Sequence, residues 1–419
     1  MTSLKILKKK KFAIYGLGIT GFSVINFFNK NNIKNYIAWD DNSSKKKFLK
    51  KKIKLKQFSD SLKIVDYIVI SPGIDYKNVK ISKHLNKFKK KIITDLDLFY
   101  LIYPKTKTIV VTGTNGKSTT CKIIKHLLKK NNFNVKMGGN IGNPLLNIKV
   151  DKNSILVIEA SSFQLEYSNF IRPTFAIFLN LTPDHLDWHK SLKNYIKAKL
   201  KIFKNQNNKN YAIIGNNNLI KKFKQNNFKS KLRIIKEDIF LKYKTKVKNN
   251  YLTSSSNLKN LSYVYEISKI LKINRNSFFK SLNDFKGLPH RNELFLKKNN
   301  VKFINDSKAT SFESSISAIE SNKNIYWILG GQPKKGDSFN LKKIKNNIIK
   351  SYIIGNHSDF FKNQLKNKIS FEIKKNLKKA LISALKDVKN KFNRPVTILL
   401  SPAAASYDQY KDFNERGNE

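Results

Sequence analysis

Two glycine-rich segments have the residue types and spacing to hold phosphate. Gly16-Leu17-Gly18-Ile19-Thr20-Gly21 fits G-x-G-x-x-G, with the acid Asp40 about 20 residues further on. Such a segment makes a tight turn, lets a phosphate approach the backbone closely and points a helix N-terminus at the anion. On its residues alone it is either a nucleotide or nucleotide-sugar site or a purely structural strand-to-helix turn. Gly113-Thr114-Asn115-Gly116-Lys117-Ser118-Thr119 is the second segment. It departs from G-x-x-x-x-G-K-[ST] because Val111 stands where the first glycine would fall. Backbone N–H groups from Gly113 to Ser118 are expected to cradle phosphate, with Lys117 reaching the β- and γ-phosphates and Ser118 facing Mg²⁺.

Other polar residues sit where they would complete such a site. Glu159 precedes Ser161-Ser162-Phe163-Gln164, and Asp184-His185-Leu186-Asp187 follows Pro183. A carboxylate and an imidazole at neighbouring strand ends suit Mg²⁺ held beside phosphate. The alternative for His185 is a hydrogen-bonded histidine at a helix start. Lys199 lies four helical positions after Tyr195 and is one of 77 lysines, so its residue-level reading is a solvated helix face. Asn305-Asp306-Ser307-Lys308-Ala309-Thr310 is a polar cluster after an apolar run. Leu288-Pro289-His290-Arg291-Asn292-Glu293 precedes it and carries one of only six arginines, whose bidentate fork lysine cannot replace.

These residues need an α/β scaffold. Residues 12–27 read as a buried strand, a glycine turn and a helix start. Residues 37–39 and 64–70 are strand candidates, and the alternation implies a parallel sheet. A second unit opens with strand 107–112 and a helix over 119–129, continues through strands 155–158 and 175–179, and has helical segments at 191–203 and 260–285. A third follows Leu288, with strands at 301–304, 325–329, 351–354 and 396–400. The polar clusters fall at strand carboxyl ends, where open α/β sheets bind ligands. Lys45–Lys56 and Lys221–Lys248 read as surface stretches without chemistry.

Composition narrows the class. The 419 residues carry 83 Lys+Arg against 28 Asp+Glu, a net charge of +55. The excess is +16, +26 and +13 over residues 1–100, 101–290 and 291–419, so no basic tail exists. Nucleic-acid binding is one reading. The scarcity of Arg, the main base reader, and the abundance of Asn and Ile favour a solvated lysine surface of compositional origin. Anionic nucleotides are expected to be steered in, with rates falling as salt rises. Cys121 is the single cysteine, which excludes a disulfide scaffold and a cysteine zinc site. No secretory leader or membrane span is expected, so the chain is read as cytoplasmic, without stable membrane insertion.

Taken together and in order, these segments resemble the Mur ligase family. The resemblance adds Ser71-Pro72-Gly73-Ile74, Gly139-Asn140-Ile141-Gly142, Leu329-Gly330-Gly331 and Ser401–Gly417 to the motifs above. It implies an α/β protein of three domains: a Rossmann-like UDP-binding domain (1–98), a central P-loop-type ATPase domain with a mostly parallel sheet (99–287) and a C-terminal Rossmann-like domain (288–419). The implied reaction is ATP-dependent addition of D-glutamate to UDP-N-acetylmuramoyl-L-alanine through an acyl phosphate, by a monomer with no specific nucleic-acid partner.

By the same resemblance, Gly113, Thr114, Asn115, Gly116, Lys117, Ser118, Thr119, Asn257, Asn260, His290, Arg291, Asp306 and Lys308 would hold ATP. Ile19, Thr20, Asp40, Ser71, Gly73, Asn140, Ser161 and Gln164 would hold the UDP-substrate. Thr310, Lys335, Ser406 and Phe413 would hold D-glutamate. Two Mg²⁺ sites are implied, one on Ser118 and Glu159, the other on His185 and a carbamylated Lys199. Lys117, Lys199, His185 and Lys335 would be the catalytic set. The chain departs from the family pattern at Ser256, Asp41-Asn42 and Tyr407, where His, Thr-Arg and Leu are usual. It also ends about two to three helical turns short of the family's usual end. A sister ligase is the nearest rival. A nucleic-acid-stimulated ATPase and an NAD(P) dehydrogenase are the readings from other classes.

Overall fold

In a computed structural model, the described residues are 3–47, 49, 53–140, 142–334, 336–342, 344–389 and 394–419. Among them sixteen strands form three sheets. The first contains β1 (Phe12–Tyr15), β2 (Tyr36–Trp39), β3 (Tyr67–Ile70) and β4 (Ile92–Ile93), in the order 2-1-3-4 and all parallel. The second contains β5 (Lys107–Thr112), β6 (Val135–Gly139), β7 (Ile155–Glu159), β8 (Phe175–Phe178), β9 (Tyr211–Ile214) and β10 (Lys231–Ile234). It is also all parallel, in the order 10-9-8-5-7-6. The third has the order 11-12-16-13-14-15. It is built from β11 (Glu293–Lys298), β12 (Val301–Asn305), β13 (Ile325–Gly330), β14 (Ile348–Ile354), β15 (Phe371–Ile373) and β16 (Val396–Leu400). Only β11 runs antiparallel to its neighbour there.

Buried runs explain the parallel pairing: β1, β5, β7, β8 and β13 are apolar on both faces, as strands covered by helices on each side must be. The contacts divide the chain into two compact units, residues 1–237 with 262–281 and residues 238–261 with 282–419. A continuous core accounts for the first. It runs from Phe12, Ile14 and Phe28 through Leu96, Leu98 and Phe99 to Val110, Ile158 and Phe178. The second has its core around Trp327, Leu329, Phe339 and Phe361.

Several expectations needed correction. The strand expected at 64–70 begins only at Tyr67. Ile64 is exposed, and Asp66 instead accepts hydrogen bonds from Lys10 Nζ and the Lys11 amide, both at 2.8 Å. The helical segment 260–285 is two helices, Ser255–Ile270 and Arg275–Asn283. The helix expected at 119–129 spans Lys117–Lys130, so the phosphate-loop lysine is its first residue. Lys221–Lys248 is not all surface: it buries Phe223, Ile235, Phe240 and Val247 and contains β10. Strands β4, β6, β9, β10, β11 and β15 were not foreseen. Two-residue β4 is too short to show a pattern, β10 alternates charged and apolar residues over only four positions, and the exposed Leu294-Phe295-Leu296 of β11 is too short a run to mark a strand.

Candidate active site

The first phosphate-binding candidate is built by glycine geometry. Gly16 has φ +98°, and a Cβ on Gly21 would lie 1.9 Å from Gly16 O. The helix Ile19–Lys30 therefore starts hard against the end of β1, an approach only glycine permits. Ser71 Oγ donates to Gly16 O at 2.8 Å, tying the end of β3 to the turn. Asp40 is buried, and both its oxygens are engaged: Leu17 N–H donates to Oδ2 at 2.6 Å and Asn42 N–H to Oδ1 at 2.8 Å. Ile19 is 81% exposed at the helix start, and a Cβ on Gly73 would meet nothing within 4 Å. Thr20 follows Ile19 in the first turn of that helix. Apolar and backbone surface is thus presented where a nucleotide would lie.

The second loop is pinned by a residue to which the sequence reading gave no role. Asn180, just beyond β8, accepts from the amides of Thr114 (3.1 Å) and Asn115 (2.9 Å) through Oδ1 and donates Nδ2 to Asn115 O at 3.0 Å. Those two amides are committed, so the expected cradle running from Gly113 to Ser118 is narrowed. By helix geometry the first amides of helix Lys117–Lys130 have no intrahelical acceptor, the usual setting for an anion. Gly116 precedes that helix at φ +82° and Gly113 has φ +150°. Ser118 and Thr119 are buried in its first turn. Lys117 Nζ lies over the loop, donating to Gly113 O (3.0 Å) and Thr114 O (2.8 Å).

Lys199 overturns its residue-level reading. It is 1% exposed, not a solvated helix face. Its Nζ donates to the same Gly113 O at 2.8 Å and reaches Thr112 Oγ1 at 3.4 Å, with the Tyr195 ring 4.7 Å away. Burial, reinforced by the nearby Lys117 cation, holds this amine well below the usual lysine range. Tyr195 OH in turn hydrogen-bonds Thr114 Oγ1 at 3.1 Å. Composition masks this residue: a single buried lysine among 77 leaves no residue-level signal.

Glu159 ends β7 beneath the loop and is 2% exposed. Its Oε1 accepts from Asn140 Nδ2 at 2.9 Å, while Oε2 is buried without a partner. An orphaned carboxylate oxygen is costly and fits a cation ligand. Ser161 and Gln164 cap the next helix reciprocally, the Ser161 amide donating to Gln164 Oε1 and the Gln164 amide to Ser161 Oγ, both at 3.2 Å. His185 does sit at a helix start, with φ +53°. Its Nε2 is 3.5 Å from Asp184 Oδ2, and its ring lies 4.8 Å from that of Phe163. The neighbouring His189 is buried, bonded to Ser162 Oγ at 3.0 Å, and its pKa is pushed down to about 4, first by desolvation. Among the described residues no three His, Cys, Asp or Glu side chains gather around one point. A divalent cation here would rely on few side chains plus substrate oxygens, the habit of Mg²⁺.

In the second unit, Asp306 is buried at the end of β12. It accepts from Ser401 Oγ (2.7 Å) and the Asn292 amide (3.0 Å), and burial pushes its pKa up to about 7. His290 O accepts from the Lys308 amide at 3.0 Å, and Lys308 Nζ stands 3.7 Å over the Phe413 ring. Arg291 adjoins His290 in the turn before β11. Asn257 and Asn260 are buried and joined to each other at 3.4 Å, and no hydrogen bond links them to His290 or Asp306. Ser406 is buried and Thr310 partly so; Lys335 lies outside the described residues. Arg416 was missed. It is 1% exposed and donates to Ser307 Oγ (3.0 Å), Ser307 O (2.9 Å) and Ala404 O (3.0 Å). The rarity argument made for Arg291 applies equally to it.

Residues 111–276 match the family model described as Mur ligase middle domain, and residues 10–93 match Mur ligase MurD-like, N-terminal domain. The UDP-N-acetylmuramoylalanine–D-glutamate ligase of Rickettsia prowazekii is 36% identical, over 98% of this chain and 96% of its own. The Fusobacterium nucleatum protein of the same name is 35% identical, over 97% of each. Among solved structures, UDP-N-acetylmuramate-alanine ligase MurC from Thermotoga maritima matches with a TM-score of 0.55 at 16% identity, covering 98% of this chain and 97% of that one. The Thermotoga maritima MurF ligase in complex with ADP matches at 0.55 and 15%, covering 95% of each. At these identities the structural matches speak for the fold. Among the described residues no helix is long and apolar enough to cross a membrane.

Proposed function

The chain belongs to the Mur ligase family, and from that premise we propose that it is the ATP-dependent ligase that joins D-glutamate to UDP-N-acetylmuramoyl-L-alanine in peptidoglycan precursor synthesis. The observation that carries the chemistry is the meeting of Lys117, Lys199 and the Gly113 carbonyl at one loop, together with the unpartnered oxygen of Glu159. The full-length similarity to D-glutamate ligases carries the substrate choice.

A carboxylate is a poor electrophile. The acceptor carboxylate oxygen attacks the γ-phosphorus of ATP, ADP leaves, and an acyl phosphate forms. The D-glutamate amine then attacks the acyl carbon, loses a proton, and phosphate departs with that carboxylate oxygen. Lys117 and the first amides of helix Lys117–Lys130 would offset charge on the transferring phosphoryl group. Ser118 and Glu159 would hold one Mg²⁺, and His185 with a carbamylated Lys199 a second. When bound, these ions supply neutralisation of phosphate charge. Carbamylation needs a neutral amine, which burial of Lys199 favours by lowering its pKa. We assign Ile19, Thr20, Asp40, Ser71, Gly73, Asn140, Ser161 and Gln164 to the UDP-substrate. His290, Arg291, Asp306 and Lys308, with Asn257 and Asn260, go to the nucleotide, and Thr310, Lys335, Ser406 and Phe413 to D-glutamate. The same proposal keeps three domains bounded near 98/99 and 287/288, acting as a cytoplasmic monomer.

The discriminating experiment is an amino-acid panel with UDP-N-acetylmuramoyl-L-alanine as acceptor. D-Glutamate should support turnover, and L-glutamate, L-alanine and diamino acids should not. Equal turnover with L-glutamate would exclude the assignment.

A further inference from the structure

A polar junction of the second unit is built around a residue that the reaction described above leaves unused. Asn305 ends β12, and its side chain is fully engaged. Nδ2 donates to His290 Nδ1 at 3.0 Å and to Gly417 O at 2.7 Å, while Oδ1 accepts from the Ser307 amide at 3.1 Å. A carbonyl on one side and an N–H on the other fix which end of the amide is nitrogen. An amide nitrogen only donates, so His290 Nδ1 must accept and the ring proton must sit on Nε2. Gly417 makes the junction tight: a Cβ there would lie 2.4 Å from His290 Nδ1. The helix Phe413–Asn418 that carries Gly417 is itself clamped to the segment after β12. Ser307 Oγ donates to Phe413 O at 2.9 Å, and buried Arg416 holds Ser307.

We propose that Asn305 is a positioning residue that locks His290 in its Nε2–H tautomer and ties that ring to the C-terminal helix, so that nucleotide and amino-acid binding in this domain are coupled. The proposal rests on the assignment of His290 to the nucleotide and Phe413 to D-glutamate. A coupling of this kind is reciprocal: each ligand should tighten the other.

Two measurements on the full chain test it. In protein labelled with ¹⁵N-histidine, with the His290 signals identified through His290→Gln, two-bond proton–nitrogen correlations should show a neutral ring protonated on Nε2. Asn305→Asp, which keeps the volume but presents an acceptor, should move the proton onto Nδ1. A wild-type ring protonated on Nδ1, or an unchanged spectrum in Asn305→Asp, overturns the proposal. This readout needs no substrate, so it stands apart from the functional reading. In steady-state kinetics, Asn305→Ala and Gly417→Ala should each raise KM for both ATP and D-glutamate about tenfold, the scale of one lost buried hydrogen bond. KM for the UDP-substrate should hold. Lower thermal stability with all three KM values unchanged, or all three raised alike, marks a purely structural role and overturns it. If wild type turns over neither ligand, it is the functional assignment that fails.

Discussion

Replacing Lys199 with Met keeps the side-chain length and removes the amine that donates to Gly113 O. The folded-state pKa of Lys199 lies well below 10.5, because the ammonium is buried and faces Lys117. Between that depressed value and about 10.5 the unfolded chain binds one proton more than the folded chain. Stability therefore rises with pH through this window, by about 1.4 kcal/mol per pH unit for one proton. Two pH units inside the window amount to about 2.7 kcal/mol, a large share of the roughly 5–15 kcal/mol that holds a domain folded. Lys199→Met should lose this slope while all other titrating groups stay common to both proteins. Urea titrations of wild type and variant in bicarbonate-free buffer, repeated across neutral to alkaline pH, give the difference directly. It should grow with pH in favour of wild type, and activity should be absent from the variant throughout. Parallel stability curves would mean that the amine is charged in the folded protein, which would refute the neutral-amine argument and with it the physical basis for carbamylation.

Glu159→Gln should fold at least as well as wild type, because the buried Oε2 has no partner to lose, yet ligation should fall about 100-fold or more; melting curves and product assays report the two effects separately. In Gly21→Ala the new Cβ meets Gly16 O at 1.9 Å, so the helix must retreat. The cost should be about 1–3 kcal/mol, with KM for the UDP-substrate raised and KM for ATP unmoved in a kinetic comparison. Burial raises the Asp95 pKa from 3.8 to about 6, so the folded form keeps its proton longer and stability falls as pH rises between those values. Asp95→Asn should flatten that fall and be the more stable protein above pH 6, read from denaturation midpoints on either side of the window.

Much of the α/β scaffold was legible because buried parallel strands announce themselves. Lys107–Thr112 appears in the structure with the bounds read from its apolar run, and the glycine turns at Gly16 and Gly113 carry their own signature. Exposed β10 lacks that signal, and in β11 it shrinks to the three exposed residues Leu294-Phe295-Leu296. Within the site, strand-end acids such as Glu159 stood out by type and place. Lys199 did not, since its meaning lies in burial against Gly113 and Tyr195, brought together only by folding. Asn180 and Asn305 lie in polar clusters the sequence shows, but their individual roles were not legible for another reason: asparagine is common in this chain, and these two satisfy backbone and ring groups distant in sequence. The net charge of +55 is spread along the chain and names no chemistry, whereas the proposed site is built from a handful of buried side chains.

The most direct test of the ligase assignment follows one oxygen atom. UDP-N-acetylmuramoyl-L-alanine labelled with ¹⁸O in its carboxylate should transfer one label to the released phosphate, and only when ATP, Mg²⁺ and D-glutamate are all present. Phosphate released without label, or released at the full rate when D-glutamate is omitted, would contradict an acyl-phosphate ligase.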